Sequence, residues 1–199
     1  SIKNTAMKKI TSIFILLVVY TAAFAQKQFV VDPNAEIRKL NGSFSKIKVS
    51  GTIDLYLSQA ENESLAVSAS EDKYKQGIKT EVKGNTLHIY YDGDGKWGVK
   101  NRKLKVYAAF RSIDQVEVSG ASDVMIAGVI KAQDLSVTLS GASDLVAELD
   151  VVNLAIESSG ASDAKLSGRA TNLEIECSGA SDVKAYDLTA ENCKLHASG

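Results

Sequence analysis

At 199 residues with 45% hydrophobic content, the chain has the length and composition of one globular domain, and its low aromatic content (7%) and single proline suit a core of aliphatic side chains. The net charge of −1 hides an asymmetry: residues 26–110 carry 14 basic and 10 acidic side chains (+4), whereas residues 111–199 carry 6 and 14 (−8). The second half is therefore an acidic surface, which argues against nucleic-acid binding there.

The chain opens with Lys8 and Lys9, the apolar run Ile10 to Ala23, and Ala23-Phe24-Ala25 before Gln26. That order predicts a Sec signal peptide over residues 1–25, with Met7 as initiator and residues 1–6 upstream of the true start. No cysteine follows the cleavage region and no second apolar span appears, so neither a lipid anchor nor a transmembrane segment is expected in the mature chain. The expected location is the periplasm, the outer-membrane surface or the extracellular space.

Residues 26–110 read as an irregular β region. Asp32-Pro33-Asn34 and Asn41-Gly42 are turn chemistry. From Lys46 the apolar residues alternate, as in Ile47 and Val49, and strands are expected near Leu55–Ser58, Ser64–Ala69, Ile78–Val82, Thr86–Tyr91 and Lys103–Ala109, with Gly84-Asn85 turning a hairpin. Ser50-Gly51-Thr52-Ile53-Asp54 is a worn copy of a phrase that later repeats. Residues 92–102 read as an exposed loop carrying Trp97. Trp97 with Tyr90, Tyr91, Lys96 and Lys100 forms a cluster of aromatics and bases that suits either a ligand contact or cover for the flank of the fold.

Residues 111–199 are organised by Ser-Gly-Ala-Ser-Asp, which starts at Ser119 and returns at Ser140, Ser159 and Ser178, with Ser198 and Gly199 opening another copy. Between copies, apolar residues fall two apart: Leu135, Leu154, Leu173 and Cys193, then Val137, Ile156, Ile175 and Leu195. Two strands and two turns per repeat predict a parallel β-helix solenoid, right-handed, with about 20 residues per coil and like residues stacked about 4.8 Å apart. In that register Gly120, Gly141, Gly160 and Gly179 relieve a crowded corner, the second serine of each motif points inward, and Asn153, Asn172 and Asn192, beginning with Asp134, form an amide ladder in the other turn. Asp123, Asp144, Asp163 and Asp182 line up facing water. Their solvated stacking is inexpensive, about 0.9 kcal/mol per pair in water. The Gly-rich nonapeptide of calcium-binding rolls is absent, so no metal and no other cofactor is assigned. Because the last strand, Cys193 to Ala197, runs into half a motif, further coils are expected beyond Gly199, with self-association through the open end.

Cys177 and Cys193 stand four residues out of register on neighbouring rungs, about 14 Å apart by strand geometry. Both are expected reduced and buried. His88 and His196 share no column with a recurring acid, which argues against a zinc site or a catalytic triad.

The signal-peptide pattern, the segment Lys46–Leu57, the strand Asn85–Tyr90 and the repeated Ser-Gly-Ala-Ser-Asp together resemble the putative auto-transporter adhesin head GIN domain family (DUF2807) over residues 36–199. The resemblance implies an exported β-helix protein of Bacteroidetes type, with no established catalytic residues to carry over.

The expected function is therefore a non-enzymatic, adhesin-like or scaffold protein of the cell envelope that presents a stacked polar face to a polysaccharide or a cell-surface protein. The candidate ligand residues are Trp97, Tyr90, Tyr91, Asp123, Asp144, Asp163 and Asp182. The structural repeat residues are Ser119, Gly120, Ser140, Gly141, Ser159, Gly160, Ser178, Gly179, Asn153, Asn172 and Asn192. A polysaccharide-active enzyme is the alternative, and it would need a unique acid and base cluster that breaks the repeat. A plain structural spacer is the third reading.

Overall fold

The computed structural model describes residues 32–93 and 102–199. Two-residue alternation becomes strands whose inward side chains are buried: Ile47 and Val49, Leu55 and Leu57, Val106 and Ala108, Val116 and Val118. These strands are β1 (Glu36–Arg38), β2 (Lys46–Gly51), β3 (Asp54–Gln59), β4 (Ser64–Ser68), β5 (Ile78–Lys83), β6 (Thr86–Tyr91), β7 (Lys105–Phe110) and β8 (Gln115–Gly120). One short helix, α1 (Asp72–Gly77), precedes β5. Four long strands follow: β9 (Asp123–Leu139), β10 (Asp144–Ser158), β11 (Asp163–Ser178) and β12 (Asp182–Ser198).

The chain is all-β, but the parallel β-helix solenoid expected from the repeat is corrected. The twelve strands form one mixed sheet that curls into a nearly closed, barrel-like body. Its order runs β1-β4-β7-β3-β9-β8-β2-β6-β5, with β10, β11 and β12 added in turn beyond β9. Three pairings are antiparallel: β1 with β4, β4 with β7, and β5 with β6. The right-handed sense expected of a solenoid falls with it.

Two physical reasons account for the difference. The second turn of each repeat does not exist, because β9 to β12 run unbroken for 15–17 residues through the Asp134, Asn153, Asn172 and Asn192 column. The strands bend instead of breaking, and the β9·β10 and β11·β12 ladders each shift register once. The first half of the chain is also interleaved with the repeats. Strand β9 pairs its start with β3, Leu55–Ser58 against Val124–Ala127, and its end with β8, Gln115–Val118 against Ser136–Leu139. A strand shared between two neighbours forces the sheet to wrap.

The repeats themselves stack in register. Leu145 pairs with Val124 and Ala164, and Ile156 with Val137 and Ile175. One continuous apolar core results, from Phe44 and Leu87 at one end to Ile175 at the other. Each fully buried Leu, Ile or Val contributes about 1.5–3 kcal/mol of transfer free energy. The expected strands near Ile78, Thr86 and Lys103 are present, and β5 and β6 meet across Gly84-Asn85. The side chain of Asn41 both donates to the Val82 carbonyl and accepts from the Val82 N–H, which occupies part of the outer edge of β5.

Candidate functional site

The Ser-Gly-Ala-Ser-Asp turn is built from contacts between rungs. The Ser119, Ser140 and Ser159 hydroxyls donate to the carbonyls of Val49, Val118 and Leu139 on the preceding rung, each at 3.3 Å. The alanine N–H that follows each glycine donates to the glycine carbonyl one rung back, Ala142 to Gly120 at 2.8 Å and Ala161 to Gly141 at 2.7 Å. Gly141 shows why no side chain fits at this corner: its φ is +84°, and a Cβ would stand 2.3 Å from the Gly120 carbonyl oxygen. The second serines, Ser122, Ser143 and Ser162, are fully buried. Ser143 and Ser162 donate to the carbonyls of Ser140 and Ser159 at 2.9 Å, so the buried hydroxyls are satisfied.

The turn delivers the next residue, aspartate, to the outer face. Asp123, Asp144, Asp163 and Asp182 are register partners in sequence and all exposed. The row continues to Asp54, which precedes the Leu55–Val124 pair and belongs to the worn Ser50–Asp54 copy, and it ends at Lys105, the partner of Asp54. Desolvation, followed by the neighbouring carboxylate, pushes the carboxyls of Asp54 and Asp123 above the usual range. At the far end Lys184 lies 3.2 Å from Asp182.

A second row runs parallel to the first. Asn192 donates to Asn172 at 2.9 Å, Asn172 to Asn153 at 2.7 Å, and Asn153 to the Asp134 carboxylate at 2.7 Å. From the other side Asn85 donates to Ser45 and Ser45 to Asp114, at 3.2 and 3.1 Å. Both donor chains end on a carboxylate. Two residues beyond the amides stands the outward row Ser136, Ala155, Glu174 and Lys194, whose first two members are small. Between the rows lies a groove of about 500 Å³, lined also by Leu135, Leu154 and Leu173, with Asp114 and Asp134 lining it alongside the Lys194–Glu174 pair at 2.5 Å.

The remaining candidates are not gathered here. Trp97 lies outside the described residues. Tyr90 is exposed on β6, whose sheet neighbours are β2 and β5, not the strands that carry the aspartate row. Tyr91 is an anchor: positions 77 and 93 are glycines lying against its ring, and the Arg102 guanidinium sits 4.9 Å from the ring centre. Cys177 and Cys193 are both free, but the expectation that both are buried is corrected, since Cys177 is half-buried and Cys193 exposed on β12, which among the described residues pairs only with β11. Among the described residues no group of three or more His, Cys, Asp or Glu could hold a metal ion, and no helix is long and apolar enough to cross a membrane.

Sequence reasoning missed the stacked pair Tyr56 and Tyr107, with ring centres 4.9 Å apart on the outer face one step inside the aspartate row. Met125 and Val146 continue that row, with Val146 49% exposed. Two residues of further alignment past Asp54 would have placed Tyr56 there. Tyr107 belongs to no repeat and left no signal.

The sequence profile of the family described as "Putative auto-transporter adhesin, head GIN domain" (DUF2807) matches residues 43–199. No curated protein matches the chain. Among solved structures the fold is similar to that of a putative adhesin from Bacteroides fragilis, with 22% identity, a TM-score of 0.75, and coverage of 83% of this chain and 76% of that one. It is also similar to a putative adhesin from Parabacteroides merdae, at 15% identity and a TM-score of 0.60 over 84% and 79% of the two chains. A putative lipid binding protein from Parabacteroides distasonis shows 17% identity and a TM-score of 0.61 over 83% and 79%.

Proposed function

We propose that this chain, which belongs to the putative auto-transporter adhesin head GIN domain family (DUF2807) through residues 43–199, is an exported, non-enzymatic, adhesin-like protein of the bacterial cell envelope. It presents stacked polar rows to a glycan or protein partner.

The observation that carries this reading is the register of chemically identical side chains. Asp54, Asp123, Asp144, Asp163 and Asp182 face outward on consecutive rungs, and the amide ladder stacks a second set of like side chains on another stretch of the same long strands. Identical groups at a fixed spacing of about 4.8 Å suit a ligand that is itself repetitive. The unique acid and base cluster that a hydrolase or lyase requires has no counterpart in these rows.

The test is capture. The purified chain is incubated with intact cells and with immobilised envelope polysaccharides, and the retained protein is measured alongside any release of reducing sugar. Saturable retention without sugar release is expected. Turnover of any polysaccharide would overturn the non-enzymatic assignment, and retention no greater than that of an unrelated β-protein would overturn the adhesin reading.

A further inference from the structure

The groove beside the amide ladder has the features of a built site, and we infer that it binds an uncharged polysaccharide chain running across the rungs. This rests on the adhesin-like reading above and names its ligand class. Each Asn amide spends one N–H on the ladder, and Asn153 and Asn172 spend their oxygens as well, so among the described residues the second N–H of Asn153, Asn172 and Asn192 is left for a ligand at the groove's edge. The ladder also holds each amide in one orientation, so a ligand meets donors already set in place.

Shape and charge select the occupant. The volume of about 500 Å³ lies within the range of small-ligand sites, and the small side chains of Ser136 and Ala155 keep the middle of the groove open. Glu174 and Lys194 offset each other, so the lining keeps only the negative charge of Asp114 and Asp134 at its Asp134 end. The acidic pair Asp114 and Asp134 that also lines the groove, and the charge of −8 on residues 111–199, repel a polyanion such as a uronic-acid polymer. A chain of neutral sugars meets both conditions. Its repeated hydroxyls accept from successive amides, and an apolar ring face lies over the small outward side chains of Ala155 and Ser136.

Ala155→Trp tests the groove, because position 155 is exposed and its enlargement fills the space without touching the ladder. Ser136→Phe on the neighbouring rung does the same if the first variant unfolds, and Lys165→Ala, exposed in a different row, is the control. Calorimetric titration uses neutral hexasaccharides of glucose and mannose, with a uronate hexasaccharide as the charged comparison. At least one neutral ligand should bind, the uronate should not, and the groove-filling variant should weaken binding by about tenfold or more while the control does not. The inference is overturned if no neutral ligand binds, if the uronate binds as tightly, or if Ala155→Trp leaves affinity unchanged. Retention on intact cells, measured in parallel, separates the two failures: if it persists without neutral-sugar binding, the groove assignment fails and the adhesin reading stands.

Discussion

Asp54 and Asp123 stand side by side on the outer face although 68 residues separate them in the chain, because β3 pairs with the start of β9 in the register Leu55 to Val124. Each carboxyl is pushed up by desolvation first, then by its acidic neighbour: Asp123 beside Asp54, and Asp144 beside Asp123. Adjacent carboxylates therefore oppose folding wherever they are charged.

Replacing Asp123 with Asn removes two of these repulsions, towards Asp54 and Asp144. A solvated pair at about 4.8 Å costs about 0.9 kcal/mol before salt screening, so losing both should raise the thermal midpoint by about 4–7 °C at pH 7 and low salt. The folded-state carboxyl titrates above its unfolded value of 3.8, so the penalty sets in as pH rises through and beyond that value and is absent below it. Melting curves at pH 7 and pH 3 check this, and a gain that survives at pH 3 would mean the repulsion is not its source.

The corner at Gly141 is a packing constraint as well as a conformational one. Gly141→Ala drives a Cβ into the Gly120 carbonyl and should cost about 3 kcal/mol or more. Gly84 has φ +63° but open space around it, so Gly84→Ala should cost only about 1 kcal/mol. Urea midpoints at unchanged slope measure the difference, and equal losses would show that contact between rungs contributes nothing.

Tyr90 and Tyr91 are adjacent in sequence and opposite in role. Tyr91→Ala removes the ring held by Gly77, Gly93 and Arg102 and should destabilise by about 2–3 kcal/mol, whereas Tyr90→Ala should stay within about 0.5 kcal/mol. Comparable unfolding midpoints for the two variants would contradict the anchor assignment.

Much of the local structure was legible because it is periodic. Alternation in Leu154-Ala155-Ile156 set which side chains face inward, the repeat spacing set which residues share a rung, and the glycine at each corner followed from the same register. The helix Asp72–Gly77 escaped notice because six residues with one half-buried tyrosine carry no helical period. Asp54 was visible as a worn motif, but the two-residue extension to Tyr56 was needed before its row could be drawn.

By itself, then, the sequence determined which side chains face inward and the alignment of one repeat upon the next, since these depend on short-range spacing that any rung repeats. Only the tertiary structure decided that the strands form one curled mixed sheet, that β9 divides its length between β3 and β8, and that Tyr107 stacks on Tyr56. Those pairings join segments distant in sequence, and they are chosen by which unfilled sheet edges and apolar faces remain to be covered. No local pattern of residues records that choice.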